Sequence, residues 1–163
     1  MKLVSSGALV AAFVIFAVSG ANAAPLIFVV RHAEKAAGQG NDPELSPAGQ
    51  KRATALAQML NDAQLTAIFT TEFKRTQQTA APTAKETQIT PATIPGNDIA
   101  GLVAKLRQLK GNALVVGHSN TVPEVVKAFG IQGQVKIQDD DYTELFIITL
   151  TDTPQLLQLH YSP

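Results

Sequence analysis

The sequence has 163 residues, enough for one domain with a hydrophobic core and too few for two. Thirteen basic residues balance thirteen acidic ones, so no cationic surplus condenses on a phosphate backbone, and nucleic acid is not expected as a partner. Hydrophobic residues make up 45% and charged ones 16%, which excludes disorder, and the absence of cysteine excludes disulfides, thiolate-bound metals and thiol catalysis.

Lys2 is the only charge before Arg31, an apolar stretch runs from Ala8 to Val18, and Ser19–Ala23 supplies small residues in an Ala-x-Ala pattern. This predicts a signal peptide over residues 1–23, cleaved after Ala23, because the apolar run falls short of the roughly 20 residues of a spanning helix. The expected product is exported, periplasmic or secreted, with no membrane attachment after cleavage. Losing Lys2 leaves twelve basic and thirteen acidic residues in a single domain over 24–163.

From Ala24 onward, apolar runs alternate with helical patterns. Leu26–Val30 reads as a strand buried on both faces. A polar loop, 31–45, contains the turn signal Asn41-Asp42-Pro43; Ser46-Pro47 then reads as an N-cap with proline at the first helical position, and that helix ends near Asn61-Asp62. Ala67–Thr70 is a second strand and Glu72–Lys85 a second helix, kinked or stopped early at Pro82. Ile89 lies in a brief third strand or extended segment. A third helix covers Ile99–Leu109, capped by Asn97 or Asp98 and closed by Gly111. Ala113–Val116 is another apolar strand, and the helix Val122–Phe129 stops at Gly130. Glu144–Leu150 and Gln155–Tyr161 form a hairpin. The fold class is α/β: a mostly parallel central sheet with helices on both faces and an antiparallel C-terminal hairpin.

In such sheets ligands bind beyond the carboxyl ends of the strands. Arg31-His32 and Gly117-His118 directly follow the two most apolar strands, so two of the three histidines leave the sheet at one edge. Arg75 lies early in a helix whose N-terminus faces the same edge, whereas Lys74 reads as a solvated surface residue. Two arginines and two histidines make a cationic pocket, costly to bury without an anion, and guanidinium forks match phosphate oxygens in pairs.

Arg31-His32-Ala33-Glu34 resembles the Arg-His-x-Glu signature of the histidine phosphatase superfamily, which includes the phosphoglycerate mutases. Leu45–Gln50, Thr70–Ala80 and Gly117–Asn120 are similar to the family's later motifs, in the family's order. The resemblance implies a phosphoglycerate mutase-like fold and a phosphatase with His32 as the nucleophile. Arg31, Arg75 and His118 would hold the phosphate oxygens, and no metal or other cofactor would be needed. Glu34 follows the motif without an assigned step.

The acid that protonates the leaving oxygen departs from the family's patterns. Ser119 stands where one branch carries it, and Asp98 is the only carboxylate between Thr87 and Ala100, so Asp98 is the candidate general acid, with helix capping as its other reading. The expected substrate is a phosphorylated small molecule or glycan, such as an envelope sugar phosphate. Two alternatives are a binding protein that holds a phospho-ligand without turnover, and a serine hydrolase using Ser119 with one of Asp139–Asp141 and His160.

Overall fold

A computed structural model describes residues 23–38, 40–133 and 135–163. The leader expected over residues 1–23 lies outside them except for Ala23. Six strands and four helices follow in the order β1 (Leu26–Arg31), α1 (Pro47–Met59), β2 (Leu65–Thr70), α2 (Lys74–Thr87), β3 (Ala92–Thr93), α3 (Ile99–Arg107), β4 (Asn112–Gly117), α4 (Thr121–Ala128), β5 (Glu144–Thr149) and β6 (Gln155–His160). One sheet has the order β3-β2-β4-β1-β5-β6. β3, β2, β4 and β1 pair in parallel; β5 and β6 add antiparallel strands on the far side of β1. This is the expected α/β class.

Side chains alternate across a strand, so the apolar run of β1 divides between two cores. Ile27 and Val29 face Leu102 and Leu106 of α3 and Val122, Val125 and Val126 of α4. Phe28 and Val30 face the other layer, with Leu56 of α1 and Ala80 of α2. The strand is thereby dry on both faces, and its carboxyl end is held at a fixed place beside that of β4.

Ser46 caps α1 as expected, its hydroxyl accepting from the Gly49 amide at 3.1 Å. Two local expectations are corrected, and a third is narrowed to one of its alternatives. α2 passes through Pro82 and continues to Thr87, ending at Gln88 in a left-handed conformation (φ 58°). The helix tolerates the missing proline N–H because Thr79, Ala80 and Thr83 are buried against α1 and the sheet, and that packing outweighs one lost helical bond. The third strand is Ala92–Thr93, paired with Phe69 and Thr70, so of its two readings Ile89 takes the one outside a strand, in the segment before β3, where it packs on the core beside α1 and α2. α3 ends at Arg107 with Gln108 as its cap, and Gly111 does not close it. Gly111 serves close approach: a Cβ there would come within 2.6 Å of the Thr66 side chain. Gly130, at φ 80°, follows α4 as expected.

Candidate active site

β1 and β4 run in register, Arg31 opposite Gly117, and the ladder extends one residue further through a 2.9 Å bond from the His32 amide to the Gly117 carbonyl. His32 and His118 therefore emerge side by side, with ring centroids 5.4 Å apart in an edge arrangement. Both are buried, at 4% and 8% exposure. They open onto a groove of about 1020 Å³ that Arg31 and Arg75 also line. The four side chains singled out in the sequence thus share one site.

The His32 ring is oriented by its own chain. Nδ1 lies 2.8 Å from the Ala33 carbonyl, which can only accept, so Nδ1 carries the proton and Nε2 carries the lone pair. Burial pushes the His32 pKa down to about 3, against a smaller upward effect of the Ala33 hydrogen bond and with added repulsion from His118, Arg31 and Arg75. Burial likewise pushes His118 down to about 4, helped by Arg75 and opposed by Glu72. Both rings are neutral near pH 7, and His32 is a nucleophile with a free electron pair.

Arg31 donates through Nη1 to the carbonyls of Gln138 and Asp141, both at 2.9 Å. The Tyr142 ring lies 4.1 Å from the Arg31 guanidinium carbon, and the buried Arg31 Nε–H has no acceptor among the described residues. Arg75 lies 4.3 Å from the Phe73 ring and 3.8 Å from the Asp42 carboxylate, and its Nη2 points at His118 Nδ1 from 3.4 Å. Each guanidinium is laid against an aromatic face, which fixes its plane without consuming its N–H donors. Lys74 is exposed, as expected.

Glu34 is the anchor of the loop after His32. Its carboxylate takes both Nε and Nη2 of Arg52 at 2.8–3.0 Å, and Arg52 Nη1 donates to the Tyr161 carbonyl at 3.1 Å. These bonds outweigh the upward push of burial and hold the Glu34 carboxyl below its ordinary pKa.

Asp98 caps α3, accepting from the Gly101 amide at 2.9 Å. It borders a cavity of about 20 Å³ beneath the site, while its neighbours Gly96 and Asn97 line the groove itself. The carboxylates on the groove are Glu72, Glu124 and Asp139. Glu72 also accepts from the Gly96 amide at 2.8 Å. Ser119 lines the groove, but His160 sits at the end of β6, three strands from β4, bonded to Thr143 at 3.1 Å. At about 4.8 Å per strand, that separates the members of the serine hydrolase reading by more than 10 Å.

Sequence reasoning did not single out Phe73, Tyr142, Glu72 or Arg52 for the site. Arg52 alone left a signal: it falls on the buried face of α1 with Gly49, Ala53 and Leu56, where a charge needs a partner. Among the described residues no group of three or more His, Asp or Glu side chains is placed to hold a metal ion, and no helix is long and apolar enough to cross a membrane.

A family model described as "Histidine phosphatase superfamily (branch 1)" matches residues 27–96, bearing out the resemblance read from the motifs. A comparison with curated protein sequences returned no match. Among solved structures, the protein histidine phosphatase SixA complexed with tungstate is 18% identical with a TM-score of 0.69, covering 83% of this chain and 96% of its own. An Escherichia coli K-12 protein assigned as an alpha-ribazole-5'-P phosphatase is 16% identical with a TM-score of 0.68, covering 85% and 97%. The mycobacterial glucosyl-3-phosphoglycerate phosphatase Rv2419c is 14% identical with a TM-score of 0.61, covering 85% and 99%. At these identities the likeness is one of fold.

Proposed function

We propose that this chain is a histidine phosphatase that hydrolyses a phosphomonoester through a phosphohistidine on His32, a reading supported by the family model over residues 27–96 and by the shared fold. The observation that carries this reading is the His32 ring: neutral, with Nδ1 tied to Ala33 and Nε2 free, beside His118 and two arginines.

In the first step the Nε2 lone pair forms a bond to phosphorus as the P–O ester bond breaks, and the leaving oxygen takes a proton from a carboxylic acid. Arg31, Arg75 and His118 stabilise the charge on the non-bridging oxygens. In the second step water attacks phosphorus, the P–N bond breaks, and the same carboxylate takes the water's proton. Asp98 is the carboxylate proposed from the sequence. Glu72 is the competitor the geometry favours, because it lies on the groove beside His118 and Arg75 while Asp98 is engaged as a cap.

The substrate we propose is a phosphorylated small molecule or glycan. The groove is open and its rim carries Asn41, Asn97 and Asn120 with the three carboxylates, groups that pair with hydroxyls. Neighbours of the same fold are named as a protein histidine phosphatase, an alpha-ribazole-5'-P phosphatase and a glucosyl-3-phosphoglycerate phosphatase. We further propose that the reaction needs no metal and that the protein acts outside the cytoplasm after cleavage behind Ala23.

Hydrolysis of an aryl phosphate by the purified protein tests the reading. Activity should disappear in His32→Ala, and denatured enzyme quenched during turnover should carry an acid-labile, alkali-stable phosphate on His32. Phosphate on a serine, or full activity in His32→Ala, overturns the mechanism. Tight phosphate binding without any turnover would identify the chain as a binding protein. N-terminal sequencing of the protein recovered from the periplasm checks export.

A further inference from the structure

Behind His118, on the side away from the groove, stand two buried threonines that the reaction itself does not touch. Thr71 Oγ1 lies 3.0 Å from His118 Nε2, and Thr76 Oγ1 lies 3.0 Å from Thr71 Oγ1. Thr71 is 7% exposed and Thr76 is fully buried, so neither hydroxyl exchanges its partners for solvent.

The direction of this chain follows from donor and acceptor capacity. Thr76 Oγ1 lies 2.8 Å from the Phe73 carbonyl and 3.2 Å from the Thr71 carbonyl, both of which can only accept, so the single Thr76 hydroxyl proton goes to a carbonyl and not to the Thr71 hydroxyl. Thr76 Oγ1 is then an acceptor, taking the Thr71 amide at 3.1 Å and the Thr71 hydroxyl proton. With its proton spent on Thr76, Thr71 Oγ1 accepts from His118, so Nε2 of His118 carries a hydrogen. The opposite end gives the same answer independently. Arg75 Nη2 can only donate and faces His118 Nδ1 at 3.4 Å, so Nδ1 is a lone pair. Reversing the chain would set two donors against each other at Arg75.

We propose that Thr71 and Thr76 are positioning residues that lock His118 in the Nε2–H tautomer, so that the ring presents Nδ1 to the phosphoryl group and the phosphate binds with one proton shared between them. This rests on the reading of the groove as a phosphate site. When Arg75 turns its Nη2 from His118 to a phosphate oxygen, two lone pairs would otherwise meet. A hydrogen on the phosphate monoanion, or equivalently one taken up by Nδ1, converts that repulsion into a charge-assisted bond. The charged and titratable groups facing His118 are Arg75, Arg31, Glu72 and His32, and none of them needs to change protonation for this step.

Two measurements on the full chain test it, with inorganic phosphate as the probe. Ring-nitrogen NMR of uniformly 15N-labelled protein should show His118 protonated at Nε2 and bare at Nδ1; Thr71→Val, which strands Nε2–H without an acceptor, should admit a measurable fraction of the other tautomer, limited by the Arg75 donor still facing Nδ1, and Thr71→Ser should restore the first alone. Competitive inhibition by phosphate should weaken about tenfold per pH unit above the phosphate's second pKa, reporting one proton bound with the ligand. Thr71→Val should lower kcat/KM for an aryl phosphate about tenfold and Thr71→Ser should recover it. Thr76→Val provides the same reading from one residue further back if Thr71→Val fails to fold. A wild-type His118 protonated at Nδ1, or phosphate inhibition that is flat in pH, overturns the proposal while the phosphatase reading stands. Absence of both phosphate binding and turnover in wild type overturns the phosphatase reading, and the NMR result alone then decides the tautomer lock.

Discussion

Gly49 lies so close to Glu34 that a Cβ added to it would overlap the Glu34 carbonyl oxygen. Helix α1 therefore rests directly on the backbone that follows the proposed nucleophile, and the Glu34–Arg52 pair is formed across that contact.

Gly49→Ala should consequently destabilise the fold although alanine is the better helix former. The propensity gain is about 1 kcal/mol, whereas displacing α1 from a backbone it touches costs about 1–3 kcal/mol and also spreads the ion pair. Denaturant titration should show a lowered midpoint, and phosphatase activity should fall with it. An unchanged or raised midpoint would show that α1 adjusts freely.

Arg52→Met should remove about 2–3 kcal/mol, because it strands a partly buried carboxylate and frees the Tyr161 carbonyl. Glu34→Gln with Arg52→Met should recover part of that loss. A double variant no more stable than Arg52→Met alone would place the effect elsewhere.

Much of this site was legible in the sequence because of where strands end. Leu26–Val30 and Ala113–Val116 are apolar on both faces, which marks them as central parallel strands, and a histidine directly after each had to reach the same edge. Arg75 was legible from its helix start. What surrounds these residues was not. Tyr142 reaches Arg31 from a segment more than a hundred residues away that has no periodicity, and Phe73 reads as an ordinary residue in a helix's first turn. Asp98 was selected by spacing and proved to satisfy a helix N-terminus, a role that any carboxylate at that place would fill. Pro82 and Gly111 misled because local propensity yielded to packing on the sheet and to close approach of Thr66.

The leaving-group carboxylate is decided by comparing substrates. An alkyl alkoxide needs a proton that a phenolate does not, so removing the general acid should slow alkyl phosphates about 10²–10⁴-fold while sparing aryl ones. Glu72→Gln and Asp98→Asn are the variants to compare. A cap at Asp98 predicts about 1 kcal/mol lost stability and equal, small effects on both substrates. Neither variant discriminating would leave water or the substrate as the proton source.

Tyr142→Leu should weaken the hold on Arg31 without touching phosphate directly. A cation–π contact of this kind is worth about 1 kcal/mol, so KM should rise roughly fivefold, with a smaller change in kcat. Steady-state kinetics with an aryl phosphate reads the split, and an unchanged KM would assign the alignment of Arg31 to the two carbonyls alone.

Stability should fall on mild acidification. His32 and His118 titrate at about 3 and about 4 in the folded chain, below the ordinary 6.5, so between those values the unfolded chain binds more protons. Folding stability is then full above pH 6.5 and declines as pH falls toward 4, by up to about 1.4 kcal/mol per unit for each histidine. Comparing denaturant midpoints at pH 7 and pH 5 in wild type and in Glu144→Gln separates this effect from the partly buried Glu144 carboxyl, whose pKa is raised and which works in the opposite direction, and equal midpoints in both would show that the rings are solvated.

Activity should survive exhaustive chelation, and vanadate, which adopts the five-coordinate geometry of the transferring phosphoryl group, should inhibit. Activity lost with chelator and regained with added zinc or magnesium would refute the metal-free reading.

The bond from the His32 amide to the Gly117 carbonyl separates what can vary in this protein from what cannot. Reaction geometry is set by two neighbouring strands, whereas part of the groove's rim comes from the loop stretches that carry Lys35, Gly40, Asn41, Pro43 and Asp139. Randomising those stretches, with Gln138 and Asp141 kept for their carbonyls to Arg31, should retune which phosphoester is accepted at little cost to the chemistry, making the scaffold a starting point for selecting new phosphatase specificities.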